Sequence, residues 1–210
     1  MTAIVTDPPL KALTGQTIRH YEANAQAFWE GTKDHDVSQN LAAFLGACKT
    51  GSSLDILDLG CGPGRDVRYF QSIGHRPVGL DGSAAFCQMA AQLTGCPIWQ
   101  QDFLDLDLPA QAFDGIYANA SLFHVPRQRL PDVLATLHQA LRPDGVLFTS
   151  NPRGHGEQVH GQRYGHYMEL ADSAAFLNAA RFGIVEHYYR PQGLPCNQQP
   201  WLAIVSRRLG

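Results

Sequence analysis

Gly60, Cys61, Gly62, Pro63 and Gly64 follow a short apolar run and precede a helix-forming stretch. With three of these five positions lacking a Cβ, backbone amides can approach a ligand closely where a helix begins. The spacing is GxGxG followed by Arg65, not the GxGxxG of dinucleotide binding, and no Lys or Ser/Thr completes a phosphate-cradling loop. A pyrophosphate ligand is therefore disfavoured. Asp58 stands two residues before Gly60, where a carboxylate would repel phosphate but can receive an ammonium group, directly or through water. Asp81 ends the next apolar run, 21 residues after Gly60, the spacing at which an acid accepts hydrogen bonds from ribose hydroxyls. Asp102 and Phe103 follow the third run, and an acid beside an aromatic can accept from an adenine amino group while the ring covers its face. Together these groups suit a nucleoside joined to an amino acid.

The elements that must position them read as alternating strands and helices. Residues 54–59 are short, apolar and cut off by glycine, the pattern of a strand buried on both faces of a parallel sheet. Residues 65–73 read as a helix closed by Gly74. Further apolar runs at 77–80, 97–100, 115–118 and 146–150, separated by helical stretches at 84–93 and 130–141, give a βαβ rhythm. Residues 184–189 and 202–206 are joined by the turn-rich segment 191–200 and predict a closing antiparallel pair. Ahead of the sheet, a loose start through Pro8 and Pro9 leads to helices at 17–29 and 37–45, the second with Asp36 as N-cap. No repeat or second domain boundary is visible. Residues 1–50 are expected to supply lead-in helices that cover the site as a lid, and residues 51–210 the ligand-binding core of one structural domain.

Composition narrows the class. At 210 residues, with 44% hydrophobic and 17% charged residues, the chain suits one folded domain and not a disordered or coiled-coil protein. A formal charge of −3 and no Lys/Arg run beyond Arg207-Arg208 leave no basic stripe, so nucleic acid is not an expected partner. Five scattered cysteines without a CxxC pair argue against a disulfide framework and a zinc site and suit a reducing cytoplasm. Neither a signal segment nor an apolar stretch of membrane-spanning length is present, so no membrane association is expected.

The segment LDLGCGPGRD at 57–66 resembles the first motif of class I S-adenosylmethionine-dependent methyltransferases. The resemblance extends over residues 54–210, through VGLDGS, QQDF, FDGIYANASLFHV and LRPDGVLF. It implies an α/β, Rossmann-like fold: a seven-stranded, mostly parallel sheet with an antiparallel terminal strand and helices on both faces. It also implies S-adenosylmethionine as cofactor, S-adenosylhomocysteine as product, and no metal. The cofactor set so implied is Trp29, Asp58, Gly60, Cys61, Gly62, Gly64, Arg65, Asp81, Gly82, Asp102, Phe103 and Asn119. A narrower likeness lies in FWEGTKDHDVSQN (28–40), NASLFHVP (119–126), SNPRG (150–154) and YYRPQGLPCNQQPWLAIVSRR (188–208). These stretches look like the methyltransferase domain that many bacteria fuse to the 5-histidylcysteine sulfoxide synthase of ovothiol biosynthesis, which methylates the π nitrogen of 5-thiohistidine. With no room for the synthase portion and no cluster of metal-spaced histidines, this chain would be a stand-alone version acting on a small molecule.

Acceptor-orienting groups are sought at the C-terminal ends of the strands. Asn119 and His124 follow the fourth strand; Asn151 and Arg153 follow the fifth, Arg153 as a possible fork for an acceptor carboxylate. Tyr164, Arg190 and Gln199 are further substrate-binding candidates, with Tyr21 and Trp29 covering the site. Asn119, His124 and Tyr189 are the candidates nearest the chemistry. Each has a plainer alternative. A lone His124 is more often a hydrogen-bonded structural histidine than a base, and His155, His160, His166 and His187 read as surface or loop residues. Tyr188 and Tyr189 alternate on a strand, so only one can face a ligand. Arg153 and Arg190 can equally be surface groups. Cys61 reads as a small side chain packed beside the ligand, and Trp29, Trp99 and Trp201 as more often core than ligand platforms. Other small acceptors stay open, but metalloid methylation would call for clustered cysteines. Methylation of amino groups in DNA would call for an Asn/Asp-Pro-Pro-aromatic tetrad where Asn119-Ala120-Ser121-Leu122 stands. A non-catalytic cofactor-binding module is the alternative outside enzymes.

Overall fold

The computed structural model describes residues 7–49 and 53–210. Three helices come first: α1 (Asp7–Ala23), α2 (Ala25–Thr32) and α3 (Ser38–Ala47). Alternation follows through β1 (Asp55–Leu59), α4 (Arg65–Ser72), β2 (Arg76–Asp81), α5 (Ala84–Thr94), β3 (Ile98–Gln100), β4 (Phe113–Asn119), α6 (Leu130–Ala140) and β5 (Leu141–Pro152). The chain then forms a hairpin of β6 (Gly156–His160) and β7 (Arg163–Tyr167), helix α7 (Leu170–Ala179), and the closing strands β8 (Phe182–Arg190) and β9 (Trp201–Arg208). Seven strands make one sheet in the order β3-β2-β1-β4-β5-β9-β8, and β6-β7 stand apart. The first five are parallel, and β9 is antiparallel to both β5 and β8.

Period-two alternation sorts the strand side chains into two layers. Leu57, Ile116, Leu147 and Ile204 face α6 and α7, where Leu137 and Leu177 complete one layer. Ile56, Tyr117, Phe148 and Val205 face α3 and α4, meeting Phe44 and Phe70 in the other. Tyr117 stacks on Phe148 at 4.9 Å and meets Phe44 and Phe70 at 5.3 Å each. Such pairs contribute about 0.5–1.5 kcal/mol apiece beyond area burial. Doubly covered strands explain why the apolar runs in the sequence are continuous.

Differences from the sequence expectation sit at the ends. Pro8 and Pro9 fall in the first turn of α1, where a missing N–H costs nothing, so the chain is helical from Asp7 and not loose there. The helix expected over 17–29 is two, broken at Asn24. Val37, not Asp36, is the N-cap of α3, although Asp36 Oδ1 accepts from the Ser38 amide at 2.9 Å. The boundary expected between residues 50 and 51 lies outside the described residues. The hairpin and α7 had no counterpart in the sequence reading. Among the described residues no helix is long and apolar enough to cross a membrane.

Strand β1 lies between β2 and β4, so the chain leaves β1 toward β2 on one side and leaves β4 toward β5 on the other. That reversal of strand order opens a crevice at the rim where β1, β2 and β4 end, the place where open α/β sheets hold ligands.

Candidate active site

A cavity of about 870 Å³ occupies this crevice, floored by the strand ends and roofed by α1 and α2. Its floor is the 60–64 loop. Gly60 turns with φ +78°, and a Cβ there would stand 2.3 Å from the Ser121 Cβ, so only glycine lets the β1 exit pass the loop after β4. Ser121 Oγ donates to the Leu59 carbonyl at 2.6 Å and fixes that approach. Gly62, Cys61 and Arg65 line the cavity. Gly64 does not; it is the left-handed N-cap of α4, with Ala90 of α5 2.9 Å from where a Cβ would sit. At Gly82 a Cβ would strike Ile18 at 2.9 Å, so the bare backbone there is what lets α1 settle over the site.

The acids are placed by the same turns. Asp81 accepts from the Gly62 amide at 3.0 Å and the Ser83 amide at 2.9 Å, and burial raises its carboxyl to about 6 against these stabilising bonds. Asp102 accepts from the Leu104 amide at 2.9 Å and from Thr14 Oγ1 of α1 at 3.4 Å, with Phe103 beside it on the cavity wall. Asp58 lies beneath the loop, 2% exposed, and its Oδ2 has no hydrogen-bond partner. Burial, then the neighbouring Asp66 carboxylate, holds the Asp58 pKa well above the usual range.

Asn119 and His124 sit at the end of β4. Asn119 Oδ1 accepts from Asn40 of α3 at 3.0 Å, its amide donates to Asp66 at 3.4 Å, and Tyr188 donates to Asn40 Oδ1 at 2.9 Å. Arg65 closes this network with a two-point fork on Asp66 and a bond to the Thr32 carbonyl. His124 Nδ1 lies 2.6 Å from the Tyr164 carbonyl, which can only accept, so Nδ1 carries the proton. Nε2 is then the acceptor, and the Tyr21 hydroxyl donates to it at 2.9 Å. Burial lowers the His124 pKa to about 4, which keeps the ring neutral. Both ring nitrogens of His124 are thus engaged, Nδ1 by the Tyr164 carbonyl and Nε2 by the Tyr21 hydroxyl.

Several expected site residues are placed elsewhere. Arg153 does not reach the cavity: it forks onto Glu169 at 2.9 and 3.0 Å, donates to the Cys196 and Gln199 carbonyls, and stacks at 4.4 Å over Tyr189. Its donors are spent on local acceptors. Tyr189 packs against the α6–α7 layer, while Tyr188 joins the Asn40 network, because alternation along β8 puts them on opposite faces. Gln199 donates to the Pro191 carbonyl at 2.8 Å, and Asn151 accepts from the Phe123 amide at 3.3 Å; both brace loops outside the lining. The Tyr164 hydroxyl turns away to Glu157, and only its backbone serves His124. Arg190 lines the cavity and donates to the Asp36 carbonyl at 2.8 Å. Tyr21 and Trp29 line it from α1 and α2, and Trp201, expected in the core, also reaches the wall. His166, expected at the surface, is 1% exposed against Phe176. Cys61 is buried and its thiol pushed well up by desolvation, a packing residue without nucleophilic character.

Comparison with known proteins bears on this arrangement. Residues 56–145 match the family model of a methyltransferase domain. In structure the chain is similar to the Burkholderia thailandensis 1,6-didemethyltoxoflavin-N1-methyltransferase, solved with 1,6-didemethyltoxoflavin and S-adenosylhomocysteine. The TM-score is 0.77 and the identity 25%, covering 100% of this chain and 94% of that one. The chain carries a class I S-adenosylmethionine-dependent methyltransferase domain. Among curated proteins it is 37% identical over 109 residues to the trans-aconitate 2-methyltransferase of Deinococcus radiodurans, covering 50% of this chain and 40% of that protein. It is 28% identical over 181 residues to an uncharacterized methyltransferase of Schizosaccharomyces pombe, covering 82% of this chain and 66% of that protein.

The site of this methyltransferase domain fits S-adenosylmethionine on its own chemistry. Asp81 is a place for ribose hydroxyls and Asp102 with Phe103 for adenine, all three lining the cavity; Asp58 is not a lining residue, and its orphaned Oδ2 beneath the loop would meet an ammonium group through water. Among the described residues no three His, Cys, Asp or Glu side chains could hold a metal ion together. Residues the sequence reading missed include Asn40, Asp66, Phe28, Phe86 and Arg163. Asn40 and Arg163 carry no local signal, since each gains its place only through tertiary contacts; Asp66 lies inside the recognised motif and was there to be read.

Proposed function

We propose that the chain transfers a methyl group from S-adenosylmethionine to the π nitrogen of the 5-thiohistidine imidazole, giving ovothiol A, S-adenosylhomocysteine and a proton released to solvent. The observation that carries this reading is the chain of bonds from the Tyr164 carbonyl through neutral His124 to Tyr21, set in the same cavity as the glycine loop. S-adenosylmethionine, when bound, supplies a methyl group on a sulfonium that needs no further activation. What remains for the protein is orientation and exclusion of water. Tyr21 gives its proton to His124 and accepts from Arg163, which leaves its oxygen one lone pair to offer the cavity. Accepting the N–H of an imidazole there would leave the other ring nitrogen with its lone pair free. Phe28 and Phe86, 5.2 Å apart and both in contact range of Tyr21, provide flat apolar walls for such a ring.

The segments at 28–40, 119–126 and 188–208 support the acceptor class by resemblance, and the Burkholderia protein is named an N1-methyltransferase. Helices α1 and α2 act as the lid in this reading. All five cysteines are free, which suits the reducing cytoplasm as its setting. Purified protein incubated with S-adenosylmethionine and, separately, 5-thiohistidine, histidine, a simple thiol and trans-aconitate should methylate 5-thiohistidine alone or by far the fastest. Mass detection and NMR should locate the methyl on the π nitrogen. Transfer to another acceptor with none to 5-thiohistidine would refute the assignment.

A further inference from the structure

Three arginines line the cavity, and two are already committed. Arg65 spends its fork on Asp66 and a third donor on the Thr32 carbonyl. Arg190 donates to the Asp36 carbonyl. Arg163 differs. It opens β7, one residue before Tyr164, whose amide donates to Thr17 of α1 at 2.9 Å and whose carbonyl holds His124. Its guanidinium lies beside the Tyr21 hydroxyl, opposing the rise that burial gives that phenol, and near enough to His124 to disfavour a charge there. Among the described residues no carboxylate forms an ion pair with it. A cation on the cavity wall without an anion is a recognition group for one.

We propose that Arg163 anchors a carboxylate of the methyl acceptor, so that the enzyme selects heteroaromatic amino acids over their amines and esters. This rests on the methyl-transfer reading above and adds the group that sets its substrate class. The cofactor also bears a carboxylate, but its amino-acid end belongs with Asp58, whose charged neighbours are Asp66, Arg65 and Asp81, not Arg163. Arg163 instead flanks Tyr21, so ring N–H and carboxylate would be read by adjacent groups. Two points of attachment fix which ring nitrogen faces the methyl and turn the thiolate aside.

The test measures binding to the S-adenosylhomocysteine-saturated protein by calorimetry, with 5-thiohistidine against its methyl ester and histidine against histamine. Wild type should prefer each acid roughly ten- to a hundredfold. In Arg163→Gln that preference should vanish through weaker acid binding, with ester and S-adenosylhomocysteine affinities unchanged, and Arg163→Lys should restore part of it. In turnover the loss should fall on KM and not kcat. Acid preference retained in Arg163→Gln, absent in wild type, or accompanied by an equal loss of S-adenosylhomocysteine affinity overturns the proposal, as does failure of every acid to bind. Acid preference through Arg163 with no methylation of 5-thiohistidine would uphold Arg163 and refute only the choice of acceptor.

Discussion

Two carboxylates under one loop show how burial assigns their tasks. Asp58 has an oxygen with no partner and a pKa held well up, a debt that a cationic ligand group can settle. Asp81 is bonded to two amides and still rises to about 6, because its surroundings are dry. Ribose hydroxyls donate, so they select ionised Asp81 and their binding releases the proton that the free protein holds below about pH 6. Cofactor affinity therefore falls as pH falls through that value, and not as it rises. Calorimetry should find S-adenosylhomocysteine bound about tenfold more weakly at pH 5 than at pH 8 through this group. Asp81→Asn should bind more weakly than wild type at pH 8 and lose this component, so that the two proteins converge toward pH 5. Parallel pH profiles for the two would mean Asp81 does not receive the ribose. The positions of Asp81 and Asp102 on the cavity wall were readable from their spacing at the ends of apolar runs, and that of Asp58 beneath the loop from its place two residues before Gly60. Arg153 was misread because spacing places a residue on the rim but does not say which neighbour, here Glu169, has claimed its donors.

At the scale of elements, side-chain hydrogen bonds tie the roof to the rim. Thr17 of α1 is 4% exposed, and its hydroxyl accepts the Tyr164 amide of β7 while donating to the Leu13 carbonyl. Thr17→Val keeps the shape and leaves the Tyr164 N–H buried without an acceptor, a cost of about 1–3 kcal/mol. Tm should fall by about 2–12 °C, with faster hydrogen exchange at Tyr164 and unchanged S-adenosylhomocysteine affinity. No change in Tyr164 exchange would show that α1 and the hairpin are not joined there. The five parallel strands and the helices between them were legible because doubly covered strands must be apolar throughout. The hairpin was not. Residues 156–160 are exposed along their whole length, so β6 has no buried face to print an alternation on the sequence. Helix α7 buries only Leu177 and is alanine-rich, which leaves its apolar period weak. What the sequence withheld is thus the part of the rim that carries Arg163.

For the whole molecule, the cavity draws its walls from α1, α2, the exits of β1, β2 and β4, and the segment after β3, so a ligand there touches both the roof and the sheet. The sheet in turn separates the two apolar layers that make up the core. A ligand bound only by the assembled fold shifts the unfolding of the entire chain, not of one loop. At a concentration one hundred times its Kd, S-adenosylhomocysteine should add about 2.7 kcal/mol. For a domain of this size that raises Tm by roughly 5–11 °C. The shift should follow the logarithm of ligand concentration and be cut sharply in Asp58→Ala, which removes the acid beneath the loop while freeing a buried charge. Opposite signs make this variant informative, because it should gain stability without ligand and lose the ligand's contribution. A differential scanning measurement separates the two, and an equal ligand shift in Asp58→Ala and wild type would place the ammonium group of the cofactor somewhere other than at Asp58.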